Sequence, residues 1–218
     1  MKSLILFPCN GNAREAVGVV EAINCIEPAW SILGFVDDDP SAPSRQHGYP
    51  ILGTRACLAD YPDARILAVP GRPDNYWGRL SIIDALGIDP KRFATLVHPA
   101  AHVGPRCTLG PNTLIHAGVA LTASVHMEGD VVILPNSVLS HDVFIGRGTL
   151  VGSNVSIAGG VHVKSCAYVG SGARLLQDII IGEQALIGLG STVIHSVPPH
   201  TVVAGNPARL LRRVDAEA

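Results

Sequence analysis

Every sixth residue in the second half of the chain is aliphatic. The series begins at Val103 and ends at Val193, and all sixteen of its members are Val, Ile, Leu or Met. The residue two places before each member is mostly small or β-branched, and Gly follows the aliphatic residue seven times. A period of six differs from the 3.6 of an amphipathic helix and from the 2 of a strand with one buried face. The pattern therefore excludes both a helical bundle and a stack of plain hairpins.

Six-residue repeats are typical of a parallel β-helix, in which each repeat is one short strand and its turn. Three repeats close a triangular coil, so the series forms about five coils. We expect the aliphatic residue of each repeat to point into the prism and the small residue two places before it to fill the corner. We expect the Gly residues to supply turn conformations that a side chain would resist. Each coil then buries its apolar side by stacking on its neighbours.

The first 97 residues have a different pattern, because strand-like and helix-like segments alternate there. Apolar runs predict strands over 2–7, 31–39, 64–73 and 93–99, and helical spacing predicts helices over 13–24 and near 74–87. Such alternation indicates a small parallel sheet with helices. We therefore expect a Rossmann-like α/β domain over 1–97, a parallel β-helix over 98–198 and a closing segment over 199–218.

Ligands of parallel sheets bind at the carboxyl ends of the strands, and the first two predicted strands end in polar turns. The first turn contains Gly11 and Asn12 but no GxGxxG, so the dinucleotide fingerprint is absent. The second strand ends in Asp37 and Asp38, whose carboxylates can accept hydrogen bonds from a ribose or a base. A solvated turn explains the same acids equally well, so both interpretations stay open.

Charge and composition exclude several classes of protein. The net charge is −2, so there is no basic footprint for nucleic acid. No apolar run reaches the roughly 18 residues of a membrane span, and the apolar stretch at the N-terminus is too short for a signal peptide. The five cysteines are scattered and form no CxxC pair, as expected of reduced thiols in a cytoplasmic protein.

Three segments resemble the bacterial hexapeptide-repeat sugar acetyltransferases. They are Ser140-His141-Asp142 with Phe144-Ile145-Gly146 after it, the acidic turn Phe35-Val36-Asp37-Asp38, and the C-terminal stretch 203–209. That family includes sialic-acid O-acetyltransferases and N-acetyltransferases of nucleotide-linked 4-amino-4,6-dideoxy sugars. The resemblance implies a left-handed β-helix, a homotrimer with sites between subunits, and acetyl-CoA as the cosubstrate, with no metal.

His141 is the candidate general base. It lies two places after the inward-pointing Leu139 and should therefore project from the prism. A sugar amine is largely protonated near neutral pH and must lose a proton before it attacks a thioester, a task that suits an imidazole. Asp142 can hold that imidazole in one tautomer and stabilise its charged form. The alternatives are an ordinary exposed His and a turn Asp without a partner. No Cys or Ser has a triad-like neighbourhood, so we expect direct transfer without an acyl-enzyme.

Gly159 lies 18 residues after His141, which is one coil, and should stack beside it. The resemblance assigns the contact with the acetyl carbonyl to a backbone amide here, and a fixed N–H suits a developing oxyanion. Coenzyme A would run in the groove between two prisms, with the basic C-terminal end near its phosphates. A C-terminal cap with a solvated basic end explains that end equally well. The predicted contacts of coenzyme A are Gly159, Gly160, Gly170, Ser171, Gly188, Gly190 and Pro207, and those of the sugar nucleotide are Gly11, Asn12, Asp37 and Asp38.

Three positions depart from the family pattern. Asn12 stands where a His usually falls in the first turn, Leu150 stands where a second His usually follows the base, and Leu134 stands where an Asn often precedes it. The residues proposed for acyl transfer still match the family pattern. The departures leave open which sugar and which nucleotide the protein prefers.

Other functions are compatible with the same pattern. A hydroxyl acceptor such as sialic acid or serine is the main alternative, although an α/β domain favours a nucleotide-bearing acceptor. A zinc enzyme with histidines between subunits is a second, but close ligand spacing on a shared element is found only for His98 and His102, in a stretch that Pro interrupts. A non-catalytic scaffold is a third, and failure to bind coenzyme A would favour it.

Overall fold

The structure, a computed structural model, describes residues 1–214. Its N-terminal part contains a parallel three-stranded sheet with the order β2-β1-β5. The elements of this part are β1 (Lys2–Phe7), α1 (Gly11–Ile26), β2 (Trp30–Phe35), the hairpin strands β3 (Arg45–Gln46) and β4 (Tyr49–Pro50), β5 (Arg65–Ala68), α2 (Arg79–Asp84), and 3-10 turns at Arg55–Asp60, Tyr76–Gly78 and Pro90–Arg92. The predicted small parallel sheet is confirmed.

The rest of the chain is a three-sided β-helix, as the six-residue period predicts. Face 1 consists of β6 (Leu96–Val97), β9 (Leu114–Ile115), β12 (Val132–Ile133), β15 (Leu150–Val151), β18 (Tyr168–Val169), β21 (Leu186–Ile187), β23 (Thr201–Gly205) and β24 (Ala208–Arg213). Face 2 consists of β7 (His102–Val103), β10 (Ala120–Leu121), β13 (Val138–Leu139), β16 (Ser156–Ile157), β19 (Arg174–Leu175) and β22 (Thr192–Val193). Face 3 consists of β8 (Thr108–Leu109), β11 (His126–Met127), β14 (Phe144–Ile145), β17 (His162–Val163) and β20 (Ile180–Ile181).

Within each face, the two-residue strands pair in parallel with the strand 18 residues away, as Leu121 does with Leu139. The second residue of each pair points inward, and the buried side chains from Ile115 to Val193 form one continuous core with the small residues two places before them. The prediction fails at Val103, which is 40% exposed, because it lies in the first coil and no earlier coil covers it.

The glycines after the aliphatic positions have a different role from the one expected. The left-handed turn residue comes three places after each aliphatic residue, and its φ is positive at all fifteen six-residue steps from 106 to 190. Glycines such as Gly152 are not among these positions. They are needed for clearance, since a Cβ on Gly152 would lie 2.4 Å from the backbone nitrogen of Ser171 in the next coil.

Four predicted elements of the N-terminal part are shorter than expected. The strand predicted over 31–39 ends at Phe35, and the strand predicted over 64–73 ends at Ala68. The helix predicted near 74–87 is a 3-10 turn followed by the six-residue α2. The strand predicted over 93–99 is only the pair Leu96–Val97, and it opens face 1 of the β-helix. The parallel sheet keeps only an isolated bridge to this segment, between Ile66 and Phe93.

The N-terminal part covers face 1 of the β-helix. The outward residues of face 1 include Leu114 and Val132, and they pack in one apolar cluster with Ala16 and Val17 of α1. Faces 2 and 3 carry no such cover within residues 1–214. In this range, no helix is both long enough and apolar enough to cross a membrane.

Candidate active site

The His141–Asp142 pair lies in a turn between β13 and β14, on the edge where face 2 meets face 3. Both side chains are well exposed, at 70% and 66%, and His141 Nδ1 lies 2.8 Å from Asp142 Oδ2. Asp142 also occupies the left-handed turn position, with φ of 60°. Because a carboxylate only accepts hydrogen bonds, Nδ1 of a neutral His141 carries the proton and Nε2 keeps its lone pair. The two interpretations of Asp142, turn residue and imidazole partner, therefore hold together.

Gly159 lies beside His141 in the next coil. A Cβ on Gly159 would be 2.5 Å from His141 Cε1, so the imidazole packs directly on the glycine backbone. The Gly160 N–H donates to the His141 carbonyl over 3.0 Å. The Gly159 N–H, in contrast, meets no acceptor in the part of the chain that the structure describes. This edge therefore presents a basic nitrogen and a free backbone donor side by side.

The same edge continues past His141 to a cavity near the end of the β-helix. Gln177 and His195 follow Gly159 at 18-residue intervals. The cavity has a volume of about 390 Å³, and its lining includes Ile194, Pro198 and Arg209. His195 lies three coils beyond His141, which corresponds to about 14 Å at the spacing of neighbouring strands.

The remaining glycines predicted to contact coenzyme A lie on another edge. Gly170 and Ser171 follow β18, and Gly188 and Gly190 follow β21, so all four are where face 1 meets face 2. The Ser171 Oγ accepts a hydrogen bond from the Ser153 N–H. Within one chain, face 2 separates this group from Gly159 and Gly160. Pro207 lies apart from both, in the turn of the β23–β24 hairpin.

A cavity of about 530 Å³ opens at the carboxyl ends of β1, β2 and β5, as expected for a parallel sheet. Asp37 and Asp38 both line it, but their carboxylates are engaged in holding its walls. Asp37 Oδ2 accepts from the Cys9 N–H over 2.7 Å, and Asp38 pairs with the Arg55 guanidinium at 2.5 Å. Burial, and next the charge of Asp37, raise the pKa of the Cys9 thiol.

A second cavity, of about 320 Å³, continues from the first toward the β-helix. The two cavities share five lining residues, and we call them together the acceptor cleft, after the role that we propose for them under Proposed function. The shared residues are Asn10, Gly11, Arg14, Gly71 and Arg72. The cleft therefore runs without interruption from the strand ends of the sheet to face 1.

The far wall of the acceptor cleft brings together the three positions that depart from the family pattern. Asn12, Leu134 and Leu150 all line the second cavity, with Tyr168 beside them. Asn12 lies at the start of α1, and its amide is 3.4 Å from the Val69 carbonyl. The sequence singles out each position separately but gives no sign that they share one cavity. Tyr168 follows Leu150 by 18 residues and pairs with it in the next coil. The six-residue period alone therefore predicts that Tyr168 lies beside Leu150 in this wall.

His141 does not face the acceptor cleft of its own chain. The cleft meets the β-helix on face 1 and on the edge between faces 1 and 2, where Leu134 and Gly152 lie. His141 lies on the edge between faces 2 and 3. The His141 edge and the cleft of one chain therefore point in different directions.

The histidines show no metal-binding arrangement in residues 1–214, where no group of three or more His, Cys, Asp and Glu side chains is placed to hold an ion. His98 Nδ1 accepts from the Ala100 N–H instead. His116 is buried, and its Nε2 has no hydrogen-bond partner among the described residues. Burial, and next the charge of His98, lower the pKa of His116 to about 4.

Comparison with known proteins shows which folds this chain is similar to. A family model described as the GMPPB C-terminal domain matches residues 92–187, which lie mostly in the β-helix. A search of curated proteins finds no match. Among solved structures, PerB from Caulobacter crescentus, in complex with CoA and GDP-perosamine, is 26% identical, with a TM-score of 0.82 and 97% of each chain covered.

Two further structures extend the likeness. The acetyltransferase domain of PglB from Neisseria gonorrhoeae is 23% identical, with a TM-score of 0.82, and 97% of this chain and 100% of that chain are covered. WeeI from Acinetobacter baumannii is 22% identical, with a TM-score of 0.78 and the same coverage. The predicted left-handed β-helix after a small parallel sheet is confirmed, and so is the predicted resemblance to sugar acetyltransferases.

Proposed function

We propose that the chain, an acetyltransferase of the hexapeptide-repeat type, moves the acetyl group of acetyl-CoA to the amino group of a nucleotide-linked 4-amino-4,6-dideoxy sugar. The acceptor cleft carries this proposal, because it joins the ligand-binding edge of a parallel sheet to the β-helix. A simple amino acid or free sugar would leave the cavity at the strand ends unused. The complex of PerB with CoA and GDP-perosamine supports an acceptor of this class.

The nucleoside is proposed to occupy the cavity at the strand ends, near Asp37. Its diphosphate then lies at the junction of the two cavities, where Arg14 and Arg72 supply positive charge and Gly11 allows close approach. The sugar reaches the second cavity, beside Leu134 and Leu150. In this arrangement Asp38 contributes indirectly, since its pair with Arg55 shapes the wall.

The His141 pair supplies the proton chemistry. The amino group attacks in its neutral form, after its ammonium proton has passed to solvent. Nε2 of His141 accepts a proton from the attacking nitrogen, and the Nδ1–H bond to Asp142 stabilises the imidazolium that results. The amine nitrogen bonds to the thioester carbonyl carbon, and the carbonyl oxygen becomes an oxyanion that the Gly159 N–H can stabilise. Collapse of this intermediate breaks the carbon–sulfur bond, and the thiolate of coenzyme A takes the proton from His141.

Acetyl-CoA is proposed to lie along the edge between faces 2 and 3. Its thioester is placed at His141 and Gly159, and its nucleotide end reaches the cavity that Arg209 lines. Because the acceptor cleft opens on a different edge, the complete site needs the cleft of a second copy, as in the trimer that the resemblance implies. The glycine-rich turns at 170–172 and 188–190 of that copy then form the opposite wall of the groove.

The test is thiol release from acetyl-CoA with UDP-, GDP- and dTDP-linked 4-amino-4,6-dideoxy sugars, and with sialic acid and serine alongside. We expect turnover with one nucleotide aminosugar and its loss in His141→Asn. His162→Asn is the matched control, because His162 is an exposed histidine of face 3 that stacks on Phe144 and is not on the proposed edge. Turnover only with a hydroxyl acceptor would replace the proposal by O-acetyl transfer. Equal activity of His141→Asn would remove His141 from the mechanism.

A further inference from the structure

Arg79 is completely buried between the two parts of the chain. Its side chain has 0% exposure and donates hydrogen bonds to three backbone carbonyls. Two of these, Gly148 at 3.1 Å and Asp130 at 2.7 Å, lie on the edge where face 3 meets face 1. The third is the carbonyl of Pro70, in the loop that follows β5. Arg79 therefore ties this loop to two successive coils of the β-helix.

The loop that Arg79 holds is the shared wall of both cavities of the acceptor cleft. Gly71 and Arg72 line each of them. Gly71 has a φ of 106°, and a Cβ on it would lie 2.6 Å from the Arg79 Cγ. The backbone of the loop therefore rests directly on the aliphatic part of the arginine, with no room for a side chain between them.

A second contact fixes the far end of the same segment. The hydroxyl of Tyr76 donates to the carbonyl of Gln184 over 2.8 Å, and the Tyr76 ring lies 5.7 Å from the ring of Tyr168. Tyr168 is itself part of the cleft wall. The residues between Pro70 and Tyr76 are thus a short bridge whose two ends are both attached to the β-helix.

We propose that Arg79 is a positioning residue for the acceptor: it sets the distance between the 70–72 loop and face 1, and so the width and alignment of the acceptor cleft. An arginine suits this task because its five N–H donors lie in a rigid plane that holds several separated carbonyls in fixed positions, whereas an ammonium is a compact point charge on a flexible stem. The nature of the acceptor rests on the proposed function, whereas the anchoring of the loop does not.

Arg147 offers a matched control for a purely structural role. Its guanidinium joins the same two parts of the chain through Asp84 at 2.6 Å, and it pairs within the β-helix with Asp130 at 2.5 Å. Its backbone N–H donates to Glu128 and its carbonyl accepts from the Cys166 N–H, so none of its hydrogen bonds within residues 1–214 goes to the loop. Loss of Arg147 should therefore weaken the interface without moving the cleft wall.

The experiment compares Arg79→Lys with Arg147→Gln by steady-state kinetics and by amide hydrogen exchange at Gly71 and Arg72. We expect Arg79→Lys to raise KM for the nucleotide sugar by about tenfold, with kcat and KM for acetyl-CoA within about twofold of the unaltered protein. Exchange at the loop should become faster. Arg147→Gln should lower the melting temperature and leave the acceptor KM and the exchange of the loop unchanged.

Gly71→Ala is the second variant, for the case that Arg79→Lys does not fold. Its added methyl group pushes the loop away from Arg79, so the same rise in acceptor KM is expected. The proposal is overturned if a folded Arg79→Lys protein keeps the original KM for the nucleotide sugar and the original hydrogen exchange of the loop. It is also overturned if Arg147→Gln raises that KM equally, or if neither Arg79→Lys nor Gly71→Ala folds. An unaltered protein without any turnover would refute the proposed function, and hydrogen exchange would still decide whether Arg79 anchors the loop.

Discussion

Replacement of Gly159 by alanine tests the placement of His141 with the smallest change that the chain allows. The new Cβ would lie 2.5 Å from His141 Cε1 and 2.6 Å from Nε2. Ordinary contact begins near 3.4 Å, so the imidazole must withdraw by about 1 Å. The φ of Gly159 is not in the left-handed region, so alanine adds no backbone strain there. The backbone N–H is also retained, and the group that the new methyl displaces in the protein is the imidazole of His141.

A displacement of about 1 Å at a reacting group costs roughly a hundredfold in rate. We therefore expect kcat/KM of Gly159→Ala to fall by about a hundredfold, which is about 2.7 kcal/mol of transition-state stabilisation. The melting temperature should hardly change, because the exposed His141 ring can swing into solvent. Thiol release from acetyl-CoA measures the rate, and thermal unfolding measures the stability.

Gly18→Ala is the control for the substitution itself. Gly18 lies in α1, and a Cβ there meets nothing within 4 Å. The Gly18→Ala variant should keep the kcat/KM of the unaltered protein and have a slightly higher melting temperature, since alanine is the better helix residue. A Gly159→Ala protein that retains kcat/KM within about twofold would show that His141 does not act from its position beside Gly159.

Three further predictions concern other parts of the molecule. The buried neutral His116 has its pKa lowered from 6.5 to about 4, so it contributes up to about 3 kcal/mol of stability above pH 6.5 that is lost as the pH falls toward 4. His116→Leu should show a smaller fall in melting temperature over that window, and an equal fall would contradict the assignment. Asn112 pairs with the N–H and the carbonyl of Ala68, both at 2.8 Å, so Asn112→Gly should lose about 2–4 kcal/mol in urea unfolding. Asn154→Gly, at an exposed turn position with the same positive φ, should lose far less. Arg209→Gln should raise KM for acetyl-CoA by about tenfold and leave KM for the nucleotide sugar unchanged. A rise in KM for the nucleotide sugar at an unchanged KM for acetyl-CoA would place coenzyme A elsewhere.

The β-helix is predictable from the sequence because its geometry is local. Each six-residue step places one side chain inside and one residue in the left-handed turn, so the period appears directly in the residue types. The same arithmetic correctly stacks Gly159 on His141. It does not reveal why Gly152 is glycine, since the clash it avoids is with the backbone nitrogen of Ser171, and that distance depends on how closely two coils pack.

The acceptor cleft is much less predictable. Its walls come from the first turn, the loop after β5 and face 1, and no period relates these segments. Arg79 is the clearest case, because a charged residue in a helical stretch is ordinarily exposed. Its burial depends on three carbonyls that only the packed structure brings together. Asp37 and Asp38 are in the predicted place, but the sequence does not show that Cys9 and Arg55 already engage them.

The most direct test of the central claim follows the acetyl group itself. The protein would be incubated with acetyl-CoA labelled with carbon-13 at the carbonyl and with the nucleotide aminosugar that supports turnover, and the product would be examined by NMR. We expect the label in an amide at the sugar 4-amino nitrogen, and we expect His141→Asn to leave it in the thioester. A labelled ester on a sugar hydroxyl, or an amide formed equally by His141→Asn, would contradict the central claim.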